Sequence, residues 1–322
     1  MKLSIENREL FALDTNDGIV IGTYHKAYDE KSISNSTSLE EKRLGVLFLN
    51  SLTPTRSATG DSAVYWADAL AESGYPSLRI DLAGLGDSTG NPPADLLGFI
   101  NTGGYASLVS TKVSQLMERF SLSGFIIVGL CAGAVSALYT AAACKDCKGV
   151  ILMDPYFHLP LANKTGLWAK VIRRLSRTSI GVWGSNTYDR LRAFRAQLPG
   201  TPPPSNANFP LLNCWKSVAS GGTPILILKA QHTKMKIGDF DYLSYIFELA
   251  GQQNEVVVEV IDDTGHSFAN RVGRLAVRQT IERWLNSYFP LKTRKDVIWD
   301  VISSELSVEA TNYPLVGTRA QN

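Results

Sequence analysis

The sequence predicts an α/β fold: a mostly parallel central sheet flanked by helices, with a cap insertion over one edge. Three observations predict it. Short, almost wholly apolar runs recur at GVLFLN (45–50), GFIIVGL (124–130), KGVILMD (148–154) and TPILILKA (223–230). Runs apolar on every residue are what strands buried on both faces look like, and such strands belong to parallel sheets. Segments of helical spacing separate several of them, which places helices on the sheet faces. Finally, the alternation lapses over 155–222, a stretch holding Trp168, Trp183, Arg173-Arg174 and Pro202-Pro203-Pro204, which reads as the cap.

In chain order, residues 8–24 alternate around Asn16-Asp17-Gly18 and read as a β-hairpin. Residues 27–43 are polar and form an exposed connection. The strand 45–50 follows, then AVYWADALAESG (63–74), helical in spacing, with Gly74 as its stop. PSLRIDL (76–82) is a strand leading into the loop Ala83-Gly84-Leu85-Gly86-Asp87-Ser88. A helix over 103–120 precedes strand 124–130. The alanine-rich helix 132–143 joins it to strand 148–154. Beyond the interruption come strands 223–230 and NEVVVEVID (254–262), then an amphipathic helix over 271–289. The domain reading is therefore a core of 1–154 with 223–290, a cap insertion of 155–222, and a C-terminal tail of 291–322. No internal repeat is visible.

Composition narrows the function classes. The chain has 322 residues, 44% hydrophobic and 19% charged, enough ordinary globular sequence to bury a large core. A net charge of +2 gives no reason to expect a nucleic-acid or membrane-surface partner. No run approaches the roughly 18–20 uninterrupted apolar residues of a membrane span. The opening MKLSIENREL does not read as a secretory signal, and four cysteines are too few for a disulfide scaffold in a chain this long. A reducing, cytoplasmic setting is the expectation.

The chemistry concentrates at Gly129-Leu130-Cys131-Ala132-Gly133, at the junction of an apolar strand and a helix. This is the nucleophile-elbow pattern G-x-S-x-G with cysteine in place of serine. Such a turn is tight, so its flanks must be small, and Gly129, Ala132, Gly133 and Ala134 all are. It lifts the side chain above the sheet edge at a helix N-terminus, where negative charge is favoured and a thiol ionises more readily. A second signal is Asp263-Thr264-Gly265-His266-Ser267, between the last strand and the last helix, where a base for Cys131 belongs in an elbow enzyme. His25, His158 and His232 are less well placed. The third signal is Asn50-Ser51-Leu52, directly after strand 45–50. An elbow enzyme sets an oxyanion-hole N–H there, from Ser51 or Leu52, to pair with the N–H of Ala132.

On these motifs, residues 45–90 and 124–290 resemble the α/β-hydrolase superfamily. The stretch GVLFLNSLTPTRSATGDSAVYWADALAESGYPSLRIDLAGLGDSTG is similar to the hydrolases associated with exosortase gene clusters. The cysteine also resembles the nucleophile of dienelactone hydrolases and of thioesterases or acyltransferases of this fold. The resemblance implies a catalytic acid in the loop after strand 223–230, but that loop reads Lys229-Ala230-Gln231-His232-Thr233-Lys234, without a carboxylate. Some members place the acid one strand earlier, which here is Asp154. Asp239, or no acid at all, is the alternative. A thiol depends on its orienting acid less than a hydroxyl does, so a dyad could suffice.

Other residues carry less. Cys144-Lys145-Asp146-Cys147 lacks a second ligand pair for zinc and reads as an ordinary helix-to-strand loop. Gly84 to Ser88 lacks the spacing of a phosphate loop. Arg56 and Arg79 either orient an anionic substrate or are structural. No cofactor or metal is implied. The expected activity is acyl transfer through an acyl-Cys131 intermediate, on a small-molecule or carrier-bound thioester or activated ester, with His266 as base. The alternatives are a plain carboxylic-ester or lactone hydrolase and a non-catalytic binding relative. Oligomeric state is not legible.

Overall fold

The computed structural model describes residues 7–16, 18–28, 42–52, 55–160, 203, 205–233 and 256–291. The chain divides into two compact units, residues 1–282 and 283–322. The architecture below is that of the first; of the second, the described residues are the end of a helix and the three that follow it.

Strands β1 (Arg8–Thr15) and β2 (Gly18–His25) form the expected antiparallel hairpin, in register from Arg8 opposite His25 to Thr15 opposite Gly18. Six more strands follow: β3 (Arg43–Leu49), β4 (Ser77–Ile80), β5 (Leu122–Leu130), β6 (Cys147–Met153), β7 (Ile225–Ala230) and β8 (Val256–Ile261). Their order across the sheet is β1-β2-β4-β3-β5-β6-β7-β8. The hairpin meets β4 antiparallel, and every pairing from β4 to β8 is parallel. The central strands are uniformly apolar because both faces are covered: Val46, Leu47, Phe125, Ile126, Ile127, Val150, Ile151 and Leu152 are fully buried. Edge strand β8 alternates instead, leaving Val258 and Val260 exposed.

Parallel neighbours need crossovers, and helices supply them. Helix α1 (Ser62–Glu72) connects β3 to β4. Helices α2 (Leu96–Asn101) and α3 (Ala106–Arg119) lie between β4 and β5, and α4 (Ala132–Ala143) follows β5 without a loop. The short α2 was not expected; Asp95 caps it by accepting the Gly98 N–H. Helix α6 (Arg271–Tyr288) closes the described chain. Because each crossover returns to the same end of the sheet, the N-termini of α1, α4 and α6 all lie at the edge where the parallel strands end. The expected strands and helices are all present, their ends shifted by three residues or fewer.

Helix α5 (Phe209–Ser220) falls within the segment read as a cap, yet it is built into the core. Asn208 caps it through the Leu211 N–H, Pro210 sits in its first turn, and Leu211, Leu212, Trp215 and Val218 join the hydrophobic core. Trp215 is wholly buried, with its ring edge-on to Phe157 at 5.8 Å. Residues 161–202 and 204 of that segment, and the tail beyond 291, lie outside the described residues. If α5 is core, Trp215→Ala should cost about 3–5 kcal/mol and lower the urea midpoint of the whole unit. A midpoint unchanged from the native protein would show that α5 packs independently.

Candidate active site

The site forms at the sheet edge where the parallel strands end, from residues past β3, β5, β6 and β8. Past β5, Cys131 takes φ 56° and ψ −115°, a conformation that side-chain-bearing residues rarely adopt. Its N–H donates to the Met153 carbonyl and its own carbonyl accepts from Ala134 and Val135, so the turn is held from both sides. Small neighbours are obligatory. A Cβ on Gly129 would lie 2.0 Å from the Gly133 carbonyl oxygen, and one on Gly133 would press on the carbonyls of Leu49 and Asn50 at 3.0 Å. The start of α4 therefore sits against the end of β3, beside the loop 50–52. The sulfhydryl is partly exposed.

Past β6 comes Asp154, fully buried and also left-handed, with φ 44°. Its N–H donates to the Leu228 carbonyl at 2.7 Å, tying it to β7. One carboxylate oxygen, Oδ1, accepts the Ala230 N–H at 3.1 Å and lies 3.3 Å from Lys229 Nζ. The other, Oδ2, lies 2.9 Å from Nδ1 of His266. His266 stands in the loop past β8, its side chain 37% exposed, and lies close enough to the Cys131 thiol to feel its charge. With Nδ1 on the carboxylate, Nε2 is the ring nitrogen left for the sulfur. The hydrogen bond to Asp154, then the interaction with the Cys131 thiol, pushes the imidazole up to about 9, against the opposing effect of burial. Of the alternative acids, Asp239 lies outside the described residues.

Ser51 and Leu52 follow β3 as expected, and both are half-buried. Among the described residues, the N–H groups of Ser51, Leu52 and Ala132 have no hydrogen-bond partner. The loop is held from below by Asp81, which is fully buried. Asp81 accepts the Arg56 N–H, Arg56 Nη1 at 2.6 Å, Asp87 N–H at 3.0 Å and, more weakly, Asn50 Nδ2 at 3.5 Å. Asn50 in turn accepts the Leu82 N–H. The glycine loop 84–88 is thus closed on an internal carboxylate, and Gly86, at φ 56°, has the Asp81 carboxyl where a Cβ would stand.

The remaining candidates resolve as structural. Arg56 pairs with Asp81 and Asp87. Arg79 is buried, donates to His25 Nε2 at 2.9 Å and to the Arg56 carbonyl, and is held down to about 10 by burial. His25 is buried between Arg79 and Asp68, with Nδ1 2.7 Å from the carboxylate. Accepting at Nε2, it donates from Nδ1, so it is neutral, and burial lowers its pKa. His158 forms a single β-bridge with Ala207, and His232 is largely exposed, 4.0 Å from Asp263. The thiols of Cys144 and Cys147 are free and pushed up by burial, Cys147 to about 12. Among the described residues, no group of three or more His, Cys, Asp or Glu side chains is placed to hold a metal ion. Likewise none of the described helices is long and apolar enough to cross a membrane.

Two residues at the site were not singled out from sequence. Lys229 is one, a lysine near the end of an apolar strand. The other is Tyr156, two residues past Asp154, whose hydroxyl donates to Asn101 Oδ1 at 3.1 Å. Burial first, then the neighbouring Cys131 sulfur, raises its pKa. Its place just past a strand end was the only available signal.

Residues 46–276 match the family model described as "Alpha/beta hydrolase family". No curated protein sequence matches the chain. Solved structures of similar fold include an esterase of Pyrococcus furiosus, 15% identical over 87% of this chain and 92% of that one, with a TM-score of 0.57. Another is DcsB, solved with a substrate analogue, at 14% identity, 87% and 99% coverage and a TM-score of 0.59. A third, from Xanthomonas campestris, is described as a serine hydrolase without a lid, at 13% identity, 91% and 100% coverage and a TM-score of 0.51.

The His266 geometry has a measurable consequence. Raised from its ordinary 6.5 to about 9, the imidazole contributes stability that is complete below pH 6.5 and lost as pH rises through 9. Asp154→Asn removes the largest cause of the shift. NMR titration should then find His266 at least about one unit lower, and the fall in stability over pH 6.5–9 should flatten. An unmoved titration would mean that the His266–Asp154 bond does not form in solution.

Proposed function

The chain belongs to the α/β hydrolase family, and from that premise we propose that it is an acyl-transfer enzyme whose nucleophile is Cys131, served by His266 and Asp154. The observation that carries this is the placement of His266 between the Asp154 carboxylate at 2.9 Å and the Cys131 thiol. In this reading His266 takes the thiol proton, and the thiolate attacks a carbonyl carbon. The carbonyl π pair moves to oxygen, where the N–H groups of Ala132 and of Ser51 or Leu52 receive the charge. Collapse of the tetrahedral intermediate expels the leaving group, which takes the proton from Nε2. The acyl-thioenzyme is then opened by water or a second nucleophile, whose proton passes to His266 as the thiolate departs.

The thiol sets the substrate class. A thioester intermediate is more electrophilic toward amines than an oxyester, so thioesters, activated esters and lactones, small or carrier-bound, are the substrates it suits. The N-terminus of α4 favours the thiolate. A second reading, a carboxylic-ester or lactone hydrolase, is favoured by the Pyrococcus esterase, whose fold matches most of both chains.

Intact-protein mass spectrometry after brief exposure to a panel of acyl thioesters tests the proposal. The native protein should gain one acyl mass, Cys131→Ala none, and His266→Ala should acylate about 10²–10⁴-fold more slowly. Absence of any adduct, with no turnover, would sink the reading. Cys131→Ser separates the two activities: an ester hydrolase keeps or gains ester turnover in that variant, whereas thiol-dependent transfer loses it.

A further inference from the structure

Lys229 carries a charge into the protein interior, and the mechanism above gives it no part. It lies one residue from the end of β7, between the buried Leu228 and Ala230, and is itself only 2% exposed. Its ammonium lies 3.3 Å from Asp154 Oδ1, the carboxylate oxygen that His266 does not use. Desolvating an ammonium costs several kcal/mol, and a branched apolar residue would fill the same strand position without that cost. The loop after β7 is also where the resemblance implied an acid and the sequence has none. In place of a carboxylate, the end of β7 supplies two groups that hold one: the Lys229 ammonium and the Ala230 N–H.

We propose that Lys229 is a positioning residue for Asp154, which anchors the carboxylate and balances its charge so that a thiolate–imidazolium pair can form at Cys131 and His266. The proposal rests on the acyl-transfer reading. With Lys229 in place, the row Lys229, Asp154, His266, Cys131 alternates positive and negative and sums to zero when the pair is formed. Without it the row sums to −1. Excess negative charge makes every proton in the row harder to remove, so the thiolate appears only at higher pH. Tyr156, beyond β6, faces the Cys131 sulfur and is raised by burial, so it stays neutral over the range concerned. The loop 50–52 brings no charge.

The test is the pH dependence of Cys131 alkylation by iodoacetamide, followed by peptide mass spectrometry in the native protein, Lys229→Met and Lys229→Arg. The native midpoint should lie below the roughly 8.5 of a free thiol. Lys229→Met should move it up by about one pH unit or more, with the plateau rate retained, and Lys229→Arg should restore it. A lysine that serves packing alone would lower the urea midpoint and leave the pH profile in place. Where Lys229→Met fails to fold, Asp154→Asn compared with Asp154→Asn/Lys229→Met removes the stranded carboxylate and isolates the ammonium. The double variant should still titrate higher, and coincident midpoints overturn the proposal. A depressed native midpoint that Lys229→Met leaves unmoved overturns it alone. An ordinary thiol profile in the native protein, no faster than Cys144 or Cys214, removes the acyl-transfer reading and this proposal with it.

Discussion

The backbone at Cys131 is the constraint to which the rest of the site conforms. A non-glycine residue at φ 56° and ψ −115° stores roughly 1–3 kcal/mol of strain. It persists only because its surroundings leave no alternative. Strand β5 is buried on both faces up to Gly129, so it cannot shift, and α4 begins at once with its first turn against the end of β3. The sulfur is thereby lifted clear of the sheet at a helix N-terminus, with the last carbonyl of β6 bonded to its N–H. Asp154 repeats the device one strand over: left-handed, bonded through its N–H to the next strand, its side chain turned back over the sheet edge. Two strained turns on adjacent strands thus fix two side chains whose separation the sheet itself sets.

Two buried carboxylates organise what surrounds that pair, and each has its own cation. Asp81, with Arg56, holds the loop after β3 from beneath, since Asn50 and Arg56, which bracket Ser51 and Leu52, both bond to it. Asp154, with Lys229, holds the histidine. The Asp81 cluster continues through the Arg56 carbonyl to Arg79, His25, Asp68 and Arg8, and so ties the N-terminal hairpin and α1 to the site's loop. Each carboxylate in this web accepts several donors, which is how a buried charge is retained without water. In the acyl-transfer reading, loop N–H groups held this rigidly need no rearrangement as charge develops on a bound carbonyl, which is the condition for electrostatic stabilisation of a transition state.

What the sequence discloses follows from how local the cause is. Strands β3, β5, β6 and β7 are legible because full burial leaves an unbroken apolar run, and the elbow because its small residues are consecutive. His266 is legible from its place between a strand and a helix. Asp154 emerged only by contrast, from the missing carboxylate after β7. The partners of Arg56, Arg79 and His25 were not legible, because each lies elsewhere in the chain, 23 residues or more away. Helix α5 was not read from the sequence, although Asn208 and Pro210 mark a helix start, and its packing against the core is a tertiary fact. Lys229 was least legible of all: a lysine ending an apolar run looks like a strand reaching solvent, and here it turns inward.

The identity of residue 131 and the burial of Asp154 are linked by the count of protons. An imidazole that titrates near 9 keeps its proton at neutral pH, and a protonated imidazole is no base. In the acyl-transfer reading a hydroxyl at position 131 must surrender its proton to the ring as it attacks, whereas a thiol can surrender it beforehand. Of the two groups that raise His266, Asp154 would act on it beside a serine as well, whereas the contribution of Cys131 belongs to the sulfur. In that reading a buried, doubly anchored carboxylate one strand early and a sulfur at the elbow belong to one electrostatic arrangement, in which the imidazolium that holds the thiol proton is also the acid that releases the leaving group.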